Sequence, residues 1–249
     1  MGEDISQMRY NTFSPLKLME DFFMQKKDRF GIRKMVLIAL FAAMAFAVTF
    51  IFHIKVSFLT FDAKDAVVCI AAMILGPGAG AIISLLVATI EQITIGDTGF
   101  WGWLMDFAST ATFSVVAGYI YSKRRNITGV AMSLIATVIS TVTVMMICNL
   151  VITPIYMKVE IGQVIQLIPT LLLPFNFTKS VLNAGVVLAL YKPLVTALRA
   201  AKLLPKSENA NTKQSFWSVR SLVFMLIAIV LISVSILYMI FGLGGSFGG

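Results

Sequence analysis

Seven apolar blocks, most of them close to the thickness of a bilayer and set apart by short polar segments, confine what this chain can fold into. A helix needs about 20 apolar residues to cross the hydrocarbon, at about 1.5 Å per residue. Lipid offers no partner to a backbone N–H or C=O, so only helices or a closed barrel can cross it. The blocks lack the alternation of barrel strands. The expected fold is therefore an all-α membrane protein: a six-helix transmembrane bundle with one additional C-terminal transmembrane helix. Composition agrees, because 58% of the 249 residues are hydrophobic and only 13% charged, whereas a soluble globule carries about a quarter charged residues.

The blocks lie at about 32–52, 66–75, 79–95, 100–121, 129–153, 169–191 and 216–243. Gly76-Pro77-Gly78 makes a tight reversal, and Pro154 is expected to stop the fifth block. Residues 1–31 form a polar N-terminal arm, read as a surface helix opened at Ser14-Pro15 or as a segment without fixed structure. The arm and the lack of a small-residue cleavage pattern argue against a signal peptide. The organisation expected is the arm, a six-helix membrane domain over 32–199, a cytoplasmic linker over 200–215, a seventh helix over 216–243 and a glycine-rich tail over 244–249.

The formal net charge of +8 raises the question of a nucleic-acid partner, and the placement of the charges answers it. With the amino terminus in the cytoplasm, sixteen of the twenty Lys and Arg residues fall on the cytoplasmic side, among them Lys123, Arg124, Arg125 and Lys192. Lys55, Lys64 and Lys158 fall outside, and Lys179 lies within a span. That bias follows the positive-inside rule, so the expected location is the cell membrane, multi-pass, with lipid and not nucleic acid as the partner of this charge.

Chemistry-bearing motifs are few. The chain has no Walker-type phosphate loop and no His-Glu-x-x-His pair, and His53 is its single histidine, so neither ATP hydrolysis, a metal site nor a histidine relay is expected. Cys69 and Cys148 lie within apolar blocks and read as packing residues.

A charge at the centre of a spanning helix costs about 2.5 to 3.5 kcal/mol on insertion scales and has to be recovered from a partner or a cavity. Lys179 is the clearest instance, with Asn176 and Asn183 at i−3 and i+4 on its helical face. Pro174 is expected to open the backbone beside them. Asn149 and Asp106 stand a similar depth from the outer end of their own blocks. Two readings stay open: an outward-facing cavity for a planar, hydrogen-bonding solute, or a structural Lys179–Asp106 ion pair with asparagines bonding between helices. Ala39, Ala43 and Ala47 fall four apart on the first span, a groove for a partner helix or for packing inside the protein.

Phe-Leu-Thr-Phe-Asp-Ala-Lys-Asp at 58–65, Leu-Gly-Pro-Gly-Ala-Gly at 75–80, Asn-Leu-Val-Ile-Thr-Pro-Ile-Tyr at 149–156 and Leu-Pro-Phe-Asn-Phe-Thr-Lys-Ser-Val-Leu-Asn at 173–183 carry a resemblance. Over about residues 30 to 200 the chain resembles the substrate-binding subunits of energy-coupling factor vitamin transporters, closest to the riboflavin-specific type. The resemblance implies a six-helix subunit that captures riboflavin as cargo, holds no cofactor, and delivers it inward with a transmembrane coupling subunit and two ATPases. It places ligand contacts on Asn149, Lys179 and Asn183, a lid on the loop from Phe58 to Asp65, with Phe58, Leu59 and Phe61 over the site, and partner docking on Ala39, Ala43 and Ala47. Asp106 departs from the asparagine often found there in the family, and the seventh helix is a second departure. Competing readings are the same transporter class with pantothenate, folate or a related heterocycle, and a membrane enzyme or structural protein.

Overall fold

The computed structural model describes residues 15–96, 98–124, 127–201 and 219–247. The first 14 residues of the arm, most of the expected linker, residues 216–218 and the last two residues of the tail lie outside the described residues. The chain divides into two units, Met1–Leu37 and Ile38–Gly249. Helix α1, Pro15–Ile51, begins in the first unit and ends in the second, and of the two readings of the arm its part from Pro15 on is helical.

In the second unit, α1 leads into a hairpin, β1 (His53–Val56) and β2 (Leu59–Asp62), followed by α2 (Lys64–Leu75), α3 (Pro77–Thr94), α4 (Gly99–Lys123) and α5 (Ile127–Met157). A short α6 (Ile161–Leu167) and a π-helical turn, Ile168–Leu172, feed α7 (Leu173–Ala200). Helix α8 (Val219–Leu237) ends in a second π turn, Tyr238–Gly242, and a two-residue strand, β3 (Ser246–Phe247). Among the described residues five stretches, 31–51, 77–94, 128–157, 161–198 and 223–242, are long and apolar enough to cross a membrane, against the seven blocks expected. Helix α2, with 12 residues, is only about 18 Å long at helical rise. It is almost wholly buried, its neighbours and not lipid covering its sides.

Small residues let the helices around α2 approach closely. A Cβ on Gly118 would stand 2.9 Å from the Ala72 carbonyl oxygen, so α4 can lie against α2 only with glycine at that position. Cys69, Ile70, Met73, Phe113, Ala117, Leu134 and Val187 close the core between α2, α4, α5 and α7. Pro154 does not end the fifth block as expected, α5 continuing to Met157, and α7 likewise runs past Pro193 to Ala200. Each proline removes one hydrogen bond near a helix end, where packing outweighs the loss.

The stretch 53–62 is a two-stranded ribbon with His53 opposite Asp62 and Val56 opposite Leu59. Its turn is Ser57-Phe58, with Ser57 at φ 56°, the left-handed region that tight hairpins require. The glycine-rich tail returns to this ribbon. Strand β3 pairs antiparallel with β1, Ile54 opposite Phe247 and Lys55 opposite Ser246, giving a small sheet of order β2-β1-β3. The all-α bundle therefore carries one sheet at one of its ends, and the last helix contributes to it.

Candidate functional site

Strand alternation gives the ribbon two chemically different faces. Ile54, Val56 and Phe61 point to one side, where they pack with Phe175 and Leu182 of α7 and with Met239. His53, Lys55, Thr60 and Asp62 point to the other, and line a chamber of about 500 Å³. The chamber's remaining walls come from α1 (Thr49, Phe50), α3 (Glu91, Gln92), α4 (Trp101, Trp103, Asp106, Ser109), α5 (Met145, Thr153, Tyr156) and α7 (Phe175, Asn176, Lys179). Phe58 and Leu59, at the ribbon's turn, close over it.

Lys179 is nine-tenths buried and belongs to the chamber wall. Its Nζ donates to Asp62 Oδ2 at 2.8 Å and to the Thr60 carbonyl oxygen at 3.2 Å. An ammonium has three protons, so these two bonds leave one donor for a ligand. Burial raises the Asp62 carboxyl, but the ammonium groups of Lys179 and Lys64 outweigh burial and hold it below the ordinary carboxylate range. The pair considered from sequence, Lys179 with Asp106, does not form. Each residue has another partner: Lys179 takes Asp62, and Asp106 Oδ1 lies 2.7 Å from Lys64 Nζ. Lys64 Nζ also donates to Glu91 Oε2, joining α2, α3 and α4 through one buried ammonium.

Of the residues singled out beforehand, Phe58, Leu59, Asp106, Asn176 and Lys179 line the chamber. Three stand behind its wall instead. Phe61 is fully buried, edge-on to Phe175 with centroids 6.4 Å apart, because its register opposite Ile54 puts it on the apolar face of the ribbon. Asn183, also fully buried, is a clasp: its Oδ1 accepts the Ala66 N–H at 2.7 Å, and its Nδ2 donates to the Asp62 carbonyl oxygen at 3.0 Å. Asn149 is turned to its own helix, donating to the Met145 carbonyl oxygen at 2.7 Å and accepting from Thr153 Oγ1 at 2.9 Å. Asn176 uses one amide proton in the same way, on the Leu172 carbonyl oxygen at the end of the π turn. The irregular backbone expected at Pro174 lies just before it, at 168–172.

Sequence reasoning missed Glu91, Trp101 and Trp103 as site residues, and held Asp62 and Lys64 only as part of the lid loop. The signal for Glu91 was present, since it is the one acidic residue in the third apolar block. Ala39, Ala43 and Ala47 are all exposed on α1, while Ala42 and Ala45 between them are buried, so the small-residue row faces away from the bundle.

The described geometry, an apolar helix bundle with a chamber beneath a short ribbon, has a counterpart among known proteins. Residues 33–195 match the family model of the ECF transporter, substrate-specific component. The chain belongs to this family. It is 28% identical over 177 residues to the riboflavin transporter RibU of Staphylococcus aureus (strain TCH60), a match covering 67% of this chain and 93% of that protein. A solved structure of the S component of a bacterial ECF transporter superposes with a TM-score of 0.58 at 26% identity, covering 68% of this chain and 99% of that one. Helix α8 and β3 lie beyond the family match.

Proposed function

We propose that this substrate-specific component captures riboflavin at the outer face of the cell membrane and hands it to an energy-coupling module. The observation that carries the reading is the chamber. It offers an ammonium and an amide from α7, indole rings from α4 and a phenyl ring from the lid turn, the equipment for a flat, hydrogen-bonding heterocycle. A volume of about 500 Å³ is in the range of small-molecule sites. The likeness to a protein named as a riboflavin transporter supports the choice of vitamin.

The orientation follows from charge. Helices α4 and α7 start at the chamber and finish at the opposite end with Lys123, Arg124 and Lys192. Placing that end in the cytoplasm satisfies the positive-inside rule, opens the chamber outward and leaves the amino terminus inside. The six-helix domain, 32–199, does the capturing, and riboflavin is its cargo and not a cofactor. The exposed alanine row on α1 is a close-approach surface for a helix of the coupling subunit, which acts with two ATPases.

Titration of the purified protein with riboflavin, read by quenching of flavin fluorescence, is expected to give micromolar or tighter affinity. Absence of binding at that concentration removes the assignment.

A further inference from the structure

The chamber has two walls of opposite chemistry. On the α7 side, Lys179 presents a group that can only donate. On the α3 and α4 side, Glu91 and Asp106 share the single ammonium of Lys64, which takes Oε2 of one and Oδ1 of the other. Ionised carboxylates only accept, and two of them on one cation leave acceptor capacity over. Glu91 Oε1 has no hydrogen-bond partner among the described residues, although Glu91 is only 8% exposed. Asp106 keeps a quarter of its side chain accessible where it lines the chamber. A buried acceptor left unpaired costs about 1–3 kcal/mol, so this wall favours a ligand that brings hydroxyl or N–H donors to it.

We infer that Asp106, positioned by Lys64 and backed by Glu91, recognises the hydroxyl-bearing chain of the ligand and discriminates against a phosphate ester on that chain. This rests on the riboflavin reading and goes further by dividing the ligand between the walls. The acceptor-rich edge of the flavin ring meets Lys179 and Asn176, and the polyol donates to the acidic wall. A phosphate at the end of the polyol would bring negative charge toward carboxylates already in excess over their cation. Charge-assisted hydrogen bonds of this kind are short and about twice as strong as neutral ones, which makes the polyol a strong determinant of affinity.

The test is a cycle between protein and ligand. Riboflavin, lumiflavin (the same ring with a methyl group in place of the polyol) and riboflavin 5′-phosphate are titrated into the full-length wild-type protein, Asp106→Ala and Asp106→Asn. The wild type is expected to bind riboflavin about tenfold or more tighter than lumiflavin. Asp106→Ala is expected to lose about tenfold for riboflavin and under about twofold for lumiflavin, whose unchanged binding also shows that the variant is folded. Asp106→Asn is expected to narrow the gap between riboflavin and its phosphate ester. Equal losses for riboflavin and lumiflavin, or no loss for either, overturn the assignment of Asp106 while leaving riboflavin capture standing. A wild-type protein that binds none of the three flavins overturns both.

Discussion

Lys179 holds two positions at once, a chamber-lining donor and half of a buried ion pair that ties β2 to α7. Removing it therefore has two separable consequences. Asp62, 2% exposed, would lose its nearest cation, and breaking a buried pair typically costs about 3–5 kcal/mol because the surviving charge stays desolvated. Lys179→Ala is expected to lower the melting temperature in detergent and to weaken riboflavin binding about tenfold or more. Adding Asp62→Asn is expected to restore much of the melting temperature but not the affinity, and restoration of both would reduce Lys179 to a structural residue. Asn183 makes the opposite case, a fully buried clasp with no chamber surface. Asn183→Ala leaves the Ala66 N–H and the Asp62 carbonyl without their partner, at about 1–3 kcal/mol each. Its melting temperature is expected to fall at least as far as that of the Lys179→Ala/Asp62→Asn double variant. Lys179 and Asn176 were legible beforehand because polar groups at membrane depth demand an explanation. The pairings of the other charged groups were not, because Asp62, Lys64 and Glu91 lie 117, 115 and 88 residues before Lys179, and only packing brings such groups together.

At the scale of elements, the ribbon between α1 and α2 shows how a short alternating stretch becomes a lid. Its apolar face is held by α7 and Met239, and its polar face roofs the chamber. Strand β3 covers the β1 edge that a two-stranded ribbon would leave open, and Met239, fully buried against Ile54 and Val56, fastens the end of α8 to the same sheet. Gly185 lets α8 sit close to α7, where a Cβ would stand 3.3 Å from the Ala228 carbonyl oxygen. Each added strand hydrogen bond contributes about 1 kcal/mol, which corresponds to about fivefold in a rate. Deleting residues 244–249 is expected to speed riboflavin release by about fivefold in a stopped-flow displacement experiment, with α8 and the bundle intact. An unchanged release rate would show that the ribbon opens without parting from the tail. The alternation in 53–62 was readable in principle, but the tail was read as a glycine-rich end, since two residues are too few for a strand signal until a partner edge is in place.

For the whole molecule, the proposed function assigns capture and delivery to different surfaces. The chamber sits among α1, α3, α4, α5, α7 and the ribbon, whereas Ala39, Ala43 and Ala47 look outward from α1. A bulky residue there would block close approach of a partner helix without touching the chamber. Ala43→Phe is expected to bind riboflavin like the wild type, yet to lose co-purification with the coupling subunit and riboflavin uptake into cells. Uptake at the wild-type rate would place the docking surface elsewhere.

Membership in the membrane class and the uneven placement of basic residues along the chain were decided by sequence alone, whereas the seven crossings expected from the apolar blocks compare with five stretches long and apolar enough among the described residues. Each is a sum over many residues, and the solvent demands it whatever the details of packing. That Ala39, Ala43 and Ala47 share one face of α1 was also legible, because helical periodicity sets a face before any neighbour is known, but that the face looks outward was not. Only the tertiary structure decided which acid pairs with which lysine, which asparagines reach the chamber, and where the tail returns. Those outcomes depend on distances of a few ångströms between segments far apart in the chain, and a desolvated charge takes whichever partner the packing brings within reach.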